Sequence, residues 1–203
     1  MRILVTGFEP FNDDPINPTQ NLVWELRREV PAGIDLVTDV LPVDTVTALP
    51  QLMSLLERHR PDAVLLMGLA QHRSALSIER VAINLLDFNM PDNAGRRIQD
   101  EPIIPGGPAA YFTTLPSRAI VEKLRAAGIP VELSYTAGTY LCNQVLYTAL
   151  HWAAEREPAP RVGFLHTPAM PAQVAQKSHP GSSMAFETML EGVYHILSLL
   201  EPV

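Results

Sequence analysis

Apolar and polar residues alternate along this chain in short segments, and two different periods are present. Strand-like apolar runs occupy residues 2–8, 34–41, 62–68, 75–86, 131–136 and 161–166. Between them, apolar residues recur every three or four positions, as on one face of a helix. This second period predicts a helix that starts at Asn17-Pro18, a capping pair, and helices over residues 45–59, 117–127, 142–156 and 183–200.

The order of these segments predicts the fold class. Strands that alternate with helices indicate an α/β protein with a mostly parallel sheet covered on both faces. The length of 203 residues fits one domain, which we place over residues 1–203. Two stretches, 9–16 and 87–113, are rich in Pro, Gly, Asn and Asp. Long irregular loops of this kind are either functional or surface excursions that help oligomer contacts, and both interpretations stay open.

Composition and charge exclude several function classes. The formal net charge is −7 and no basic run exceeds two arginines, which argues against nucleic-acid binding. The longest apolar stretch, Val64 to Ala70, is too short to span a membrane. One cysteine and no signal-peptide pattern predict a reducing, cytoplasmic location. Cysteine clusters are impossible and the six histidines form no close pair, so no metal site is expected.

The single cysteine, Cys142, is the first candidate for chemistry. It follows the Ala137-Gly138 turn and opens a predicted helix, where free N–H groups and the helix dipole favour a thiolate. If all strands run parallel, Cys142 and His166 meet at the carboxyl edge of the sheet, where the imidazole can take the thiol proton. The alternatives are a buried, inert cysteine and a hydrogen-bonded structural histidine.

Glu79 is the second candidate. Period two places it on one face of the predicted strand with three apolar residues, Val81, Ile83 and Leu85. A carboxylate in such surroundings needs a partner. Three interpretations stay open: a buried ion pair with Arg73 or Arg97, an edge strand that leaves Glu79 in water, or a carboxylate that orients His166 and completes a triad.

These residues lie in blocks that resemble the pyroglutamyl peptidase I family, also called pyrrolidone-carboxylate peptidases. The blocks cover nearly the whole chain: TGFEPF at 6–11 with Asn17-Pro18, GLAQHRSALSIERVAIN at 68–84, MPDNAG at 90–95, GGPAAYFTTLP at 106–116, SYTAGTYLCN at 134–143 and GFLHTPAMP at 163–171. The resemblance implies a three-layer α/β/α sandwich with a twisted central sheet. It also implies a cysteine omega-peptidase that removes N-terminal L-pyroglutamyl residues from peptides, without a metal or cofactor, in an assembly that is often a tetramer.

The resemblance further implies roles for single residues. Cys142 would be the nucleophile, His166 the base and Glu79 the residue that orients it, while the N–H of Cys142 would donate to the oxyanion. Because pyroglutamate is a neutral lactam, its pocket should be mainly apolar. The implied pocket residues are Phe8, Phe11, Asn17, Tyr140 and Leu141. For the two phenylalanines, plain core packing is the alternative, although aromatic residues in a Pro-rich loop favour the pocket.

Three positions depart from the family pattern: Asn12, Leu69 and Asn89. Many relatives have Gly at the first and Gln at the second, so Gln71 would have to supply the missing polar contact. At Asn89 relatives have an arginine close to the reacting centre. We therefore expect slower turnover, unless Arg73 or Arg96 reaches that place. Two other functions stay open: a binding protein with weakened catalysis, and a hydrolase of another small lactam or amide.

Overall fold

The computed structural model describes residues 1–12, 14–30, 32–175, 177–179 and 181–200. Its centre is a six-stranded sheet in the order β2-β1-β3-β8-β4-β7. These strands are β1 (Arg2–Phe8), β2 (Asp35–Leu41), β3 (Ala63–Leu69), β4 (Leu76–Glu79), β7 (Val131–Ser134) and β8 (Arg161–Thr167). Two short strands, β5 (Val81–Ile83) and β6 (Ala110–Phe112), form a separate antiparallel pair.

Helices cover both faces of this sheet. They are α1 (Pro18–Arg28), α2 (Ala48–His59), α3 (Ser117–Ala126), α4 (Leu141–Ala154), α5 (Pro171–Val174) and α6 (Phe186–Leu200). The apolar residues of α1, α3 and α6 pack in one core, and those of α2 and α4 pack in the other. The structure therefore confirms the predicted three-layer α/β/α sandwich. Its sheet draws strands from residues 2 to 167, which supports the proposal of one domain.

Strand β3 shows how the sequence pattern produces these two cores. Leu65 and Met67 pack on one side of the sheet, while Val64 and Leu66 pack on the other. Successive side chains of a strand point to opposite faces, so a strand covered on both sides reads as a continuous apolar run. The predicted boundaries hold closely, although α2 and α6 begin at residues 48 and 186, three residues later than expected.

The predicted start of α1 is confirmed in detail. Pro18 is its first residue, and the side chain of Asn17 accepts a hydrogen bond from the Thr19 N–H at 3.0 Å. At the other end of a helix, Gly128 follows α3 with a φ of +77°, a conformation that favours glycine. These local signals are readable in the sequence because they depend on residue type alone.

The supposition that all strands run parallel is wrong. Strand β4 runs antiparallel to β8, and β7 runs parallel to β4. The cause is the link between β3 and β4, which has only the six residues 70–75. A parallel connection needs a crossover of a dozen or more residues, so this link turns the chain back. The carboxyl end of β7 therefore does not lie beside those of β1, β3 and β8.

The single strand predicted over residues 75–86 is also wrong. The main-sheet strand ends at Glu79, and β5 belongs to the other sheet, so Glu79 does not share a face with Val81, Ile83 and Leu85. Hydrogen bonds explain the break. The side chain of Asn143, on α4, binds both the N–H and the carbonyl of Ile83, at 2.9 and 2.8 Å. This pairing holds the chain against α4 instead of the sheet.

Candidate active site

Cys142 is the second residue of α4, and its sulfur lies against the end of β3. A Cβ atom placed on Gly68 would be 2.8 Å from its Sγ atom, so only glycine fits beside this thiol. The six residues 135–140 bring the chain from β7 back to this end of the sheet. No side chain caps the start of α4, which leaves the first N–H groups of the helix, including that of Cys142, without a side-chain partner.

His166 occupies the position next to Gly68. The two residues are paired in the parallel register of β3 and β8, so their side-chain directions share one face of the sheet. On that face the Phe164 ring packs against the imidazole, with 4.6 Å between centroids. The same ring closes the space beside Gly68, at 2.8 Å from the constructed Cβ. The structure thus brings His166 and Cys142 to the same end of one face of the sheet. It does so even though β8, which carries His166, and β7, which precedes Cys142, run in opposite directions.

Glu79 is fully buried, and a single oxygen of its carboxylate contacts both His166 and Arg73. Its Oε1 atom lies 2.7 Å from His166 Nδ1 and 2.7 Å from Arg73 Nη1. Two of the interpretations left open by the sequence therefore hold together, the ion pair with Arg73 and the contact with His166. Arg97 instead donates to the Phe88 carbonyl, at 3.1 Å. The third interpretation, Glu79 in water, is wrong because the side chain has 0% exposure.

Burial sets the protonation states of this cluster. Desolvation lowers the pKa of His166 and outweighs the opposite effect of Glu79. Burial raises the pKa of the Cys142 thiol to about 12, and the Glu79 carboxylate acts in the same direction, while Arg73 opposes both. The backbone N–H at the helix start does lower the pKa of the thiol, as expected, but desolvation is the larger effect. A neutral imidazole that donates from Nδ1 to Glu79 keeps Nε2 as an acceptor.

A cavity of about 730 Å³ opens in front of Cys142. All five residues that the family resemblance implied for the pocket line it: Phe8, Phe11, Asn17, Tyr140 and Leu141. Leu69 and Met90 also lie on its wall, so the departure at Leu69 faces the cavity. The lining also includes a group of polar residues: Asp14, Gln71, His72, Gln173 and Lys177. Of these, Gln71 was expected from the sequence as a polar contact to the substrate, whereas the other four were not.

Aromatic packing stiffens the apolar end of the cavity. Tyr140 contacts Phe11, with 5.6 Å between ring centroids, and Phe88 in an edge-on contact at 4.5 Å. Its hydroxyl donates to the Pro91 carbonyl at 3.2 Å. Phe8 is the last residue of β1 and only 4% exposed, so it serves the core as well as the cavity wall. The assumption that Phe8 belongs to a Pro-rich loop is wrong.

Asn17 lines the cavity, but the protein already uses its amide group. The nitrogen donates to the Glu9 carbonyl at 2.9 Å, and the oxygen accepts from the N–H and hydroxyl of Thr19. Asn17 therefore joins the loop that carries Phe11 to the start of α1. With 3% exposure, this side chain holds the wall in place.

Gln173 anchors the same loop from the other side. Its Nε2 atom donates to Asp14 Oδ2 at 2.8 Å and to the Ile16 carbonyl at 3.2 Å, and its Oε1 accepts from the Met170 N–H at 2.8 Å. The one sequence signal for this residue was its place just after the strand that ends in His166. Loop 9–16 is thus seated on the segment that follows β8.

Residue 89 does not place a cationic side chain at the cavity. Asn89 is exposed, and its neighbour Met90 lines the wall. Arg96 is exposed on the same loop, whereas Arg73 reaches the buried cluster through Glu79. The described part of the chain contains no group of three or more His, Cys, Asp and Glu side chains suited to a metal ion. In that same part, no helix is long and apolar enough to cross a membrane.

The fold and the site define an α/β cysteine peptidase. The chain belongs to the pyroglutamyl peptidase family, whose model matches residues 1–199. It is 44% identical over 196 residues to the pyrrolidone-carboxylate peptidase of Pyrococcus furiosus, with 95% of this chain and 94% of that one covered. It is 47% identical over 192 residues to pyrrolidone-carboxylate peptidase 1 of Ralstonia nicotianae, with 94% and 88% covered.

Solved structures give the same result for the fold. The chain matches a mutant pyrrolidone carboxyl peptidase from the hyperthermophile Pyrococcus furiosus with a TM-score of 0.96 and 42% sequence identity, over 98% of both chains. A second crystal structure, of the peptidase from the same organism and its cysteine-free mutant, gives a TM-score of 0.95 over the same share. The fold is therefore that of these pyrrolidone carboxyl peptidases along nearly the full length.

The anchoring of loop 9–16 leads to a first prediction. Gln173→Glu would place a second carboxylate against Asp14 and remove the amide donor, so the amides of Asp14 and Ile16 should exchange with solvent faster by about tenfold. Hydrogen exchange measures this, with Gln99→Ala, at an exposed position, as the control. Equal exchange rates in the two variants would show that Gln173 does not hold the loop.

Proposed function

We propose that this protein is a cysteine peptidase that removes L-pyroglutamyl residues from the N-terminus of peptides. The observation that carries the proposal is the hydrogen bond between His166 Nδ1 and Glu79, because His166 is paired in register with Gly68, and Gly68 lies against the Cys142 sulfur at the wall of an aromatic cavity. Family membership and relatives named for this activity support it. Neither of the other two functions left open by the sequence gains support, since the cavity, the thiol and the His166–Glu79 pair are all present.

The reaction begins with a neutral pair, because burial keeps the thiol protonated and the imidazole uncharged. The sulfur of Cys142 attacks the carbonyl that joins pyroglutamate to the next residue, and His166 Nε2 takes the thiol proton. The resulting oxyanion accepts from the uncapped N–H of Cys142. His166 then gives its proton to the departing amine, which leaves a thioester. Water, deprotonated by His166, hydrolyses the thioester and releases pyroglutamate and the thiol.

Glu79 and Arg73 prepare His166 for these proton transfers. The carboxylate fixes the ring through Nδ1 and stabilises the imidazolium that forms during the reaction. Arg73 shares the same oxygen, and its other nitrogen donates to the Thr136 carbonyl at 3.1 Å. That carbonyl lies in the segment leading to Cys142, so Arg73 joins the carboxylate to the loop of the nucleophile.

The cavity suits a neutral lactam. Its aromatic and aliphatic end offers apolar contact without an ionised group, as a ring without a free ammonium requires. Asp14, the carboxylate on the described wall, already accepts from the Ile16 N–H and from Gln173. A free N-terminal amine would therefore find no unsatisfied carboxylate there. This supports selection of pyroglutamyl peptides over peptides with an ordinary N-terminus.

The cellular setting belongs to the same proposal. A lone cysteine as nucleophile functions best in a reducing compartment, so we place the enzyme in the cytoplasm. We also propose a homo-oligomer, a tetramer by family resemblance. Large apolar side chains that remain exposed on one chain support it, among them Phe112 at 71%, Tyr135 at 65% and Trp24 at 50%.

Substitution of the nucleophile tests the core of this function. Cys142→Ser should lower kcat for a pyroglutamyl arylamide on the order of a thousandfold or more, since the hydroxyl replaces the reactive sulfur. Circular dichroism should show an unchanged fold. An alkylating reagent should inactivate the natural protein at this one sulfur. Retained hydrolysis by Cys142→Ser would contradict the mechanism.

Substitution of Arg73 tests the control of His166. Arg73 lowers the pKa of His166, so its loss in Arg73→Gln raises that pKa. Because His166 must be neutral to accept the thiol proton, the acidic limb of the kcat/KM profile should move to higher pH. Arg73→Lys keeps the charge and should move it less. The matched control is Arg97→Gln, since Arg97 contacts the Phe88 carbonyl and not Glu79; equal profiles for Arg73→Gln and this control would exclude the role.

The departure at Asn89 gives a further prediction. Asn89→Arg should raise kcat by about tenfold or more, because a guanidinium beside Met90 would restore a cation at the cavity, and one electrostatic stabiliser contributes roughly a hundredfold in rate. Steady-state kinetics with the arylamide measures it, and Asn89→Gln is the neutral control. Unchanged turnover would show that the missing arginine does not limit the enzyme.

A further inference from the structure

The size of the cavity raises a question that the proposed function leaves open. A volume of about 730 Å³ is that of a site for a drug-sized ligand, several times larger than one five-membered lactam. The apolar end by itself suits the lactam. The rest of the lining includes a group of polar residues, which we call the polar rim: Asp14, Gln71, His72, Gln173 and Lys177. This rim needs an occupant of different chemistry.

Opposite charges lie on the rim without pairing to each other. Gln71 separates them, since its Nε2 atom contacts Asp14 Oδ2 at 3.4 Å while its Oε1 accepts from Lys177 Nζ at 3.3 Å. Among the residues that the structure describes, neither Asp14 nor Lys177 takes part in a salt bridge. The rim therefore holds an anion and a cation that the fold keeps apart.

The two charges differ in how well the protein satisfies them. Asp14 accepts from the Ile16 N–H at 3.3 Å and from Gln173 at 2.8 Å, in addition to Gln71. The ammonium of Lys177 has three N–H donors, and within the described residues the one hydrogen bond it makes is that to Gln71. A ligand at the rim thus meets available positive donors and an anion that is already occupied.

We propose that the polar rim binds the residue that follows pyroglutamate, and that Lys177 selects substrates whose leaving part carries a carboxylate near that residue. This inference rests on the proposed peptidase function. A carboxylate of this kind has two sources: the free C-terminus of a pyroglutamyl dipeptide, or the side chain of Asp or Glu as the second residue. Both present the same group to the same ammonium.

The expected preference is modest, because Lys177 is exposed to solvent. A solvated ion pair favours the charged substrate by about three- to fivefold in kcat/KM. Added salt weakens an exposed pair, so the preference should shrink as ionic strength rises. A preference due to shape alone would not depend on salt.

Four substrates separate these possibilities: pyroglutamyl-alanine, its C-terminal amide, pyroglutamyl-glutamate α-amide, which keeps the side-chain carboxylate but has no C-terminal charge, and a neutral pyroglutamyl arylamide. We expect the natural enzyme to prefer at least one of the two carboxylate substrates over the alanine amide, and Lys177→Gln to bring that ratio close to one. Lys177→Arg should retain the ratio. The chain's other lysine, Lys123, donates to Ser198 at 2.9 Å away from the cavity, so Lys123→Gln is the matched control and should keep the natural ratio.

The outcomes distinguish this inference from the proposed peptidase function on which it rests. A preference for the dipeptide acid alone identifies the C-terminal carboxylate as the ligand, and a preference for the glutamate α-amide alone identifies the side-chain carboxylate. Ratios near one in the natural enzyme, or a ratio that survives Lys177→Gln, overturn the selection by Lys177 while arylamide hydrolysis still supports the peptidase. If the natural enzyme cleaves none of the four substrates, the peptidase function and this inference both fail.

Discussion

The buried oxygen of Glu79 that serves both His166 and Arg73 is the interaction on which the site depends. A fully desolvated carboxylate is costly to the fold unless cations or N–H groups surround it. Here Oε1 has two partners at 2.7 Å, whereas Oε2 has no hydrogen-bond partner among the described residues. The same contact fixes the imidazole and leaves its other nitrogen available. The contacts of Oε1 thus stabilise a buried carboxylate at the end of β4 and position the base with the same atoms.

The position of Cys142 depends on a missing side chain, that of Gly68, as much as on contacts. Gly68 has no side chain, so the sulfur can approach β3, and the Phe164 ring fills the remaining space beside Gly68. Desolvation then keeps the thiol neutral, in opposition to the helix start. The raised thiol pKa and the lowered imidazole pKa both favour the neutral pair before substrate binds, which agrees with the proposed transfer of the thiol proton to His166 during attack.

The sequence was a good guide wherever residue type alone decides the structure. The apolar periods placed most of the elements, and Asn17-Pro18 marked a helix start. Strand direction was not readable from periodicity, because a buried strand has the same pattern in either direction; the six-residue link before β4 held that information. Gln71 was expected as a polar contact, but Asp14 and Lys177 were missed because they lie in loops, where a ligand-facing polar residue and a solvent-facing one look alike.

The position of β8 in the sheet has a consequence for how the chain acquires activity. This strand is the last of the sheet to be synthesised, yet it lies between β3 and β4 and joins the two halves of the sheet. Its residue His166 meets Glu79 across 87 positions of sequence. A nascent chain that ends before residue 161 therefore has neither a continuous sheet nor a base beside its thiol. Closure of the sheet and assembly of the catalytic cluster are one late folding event, so a partly folded intermediate carries a thiol without the means to use it.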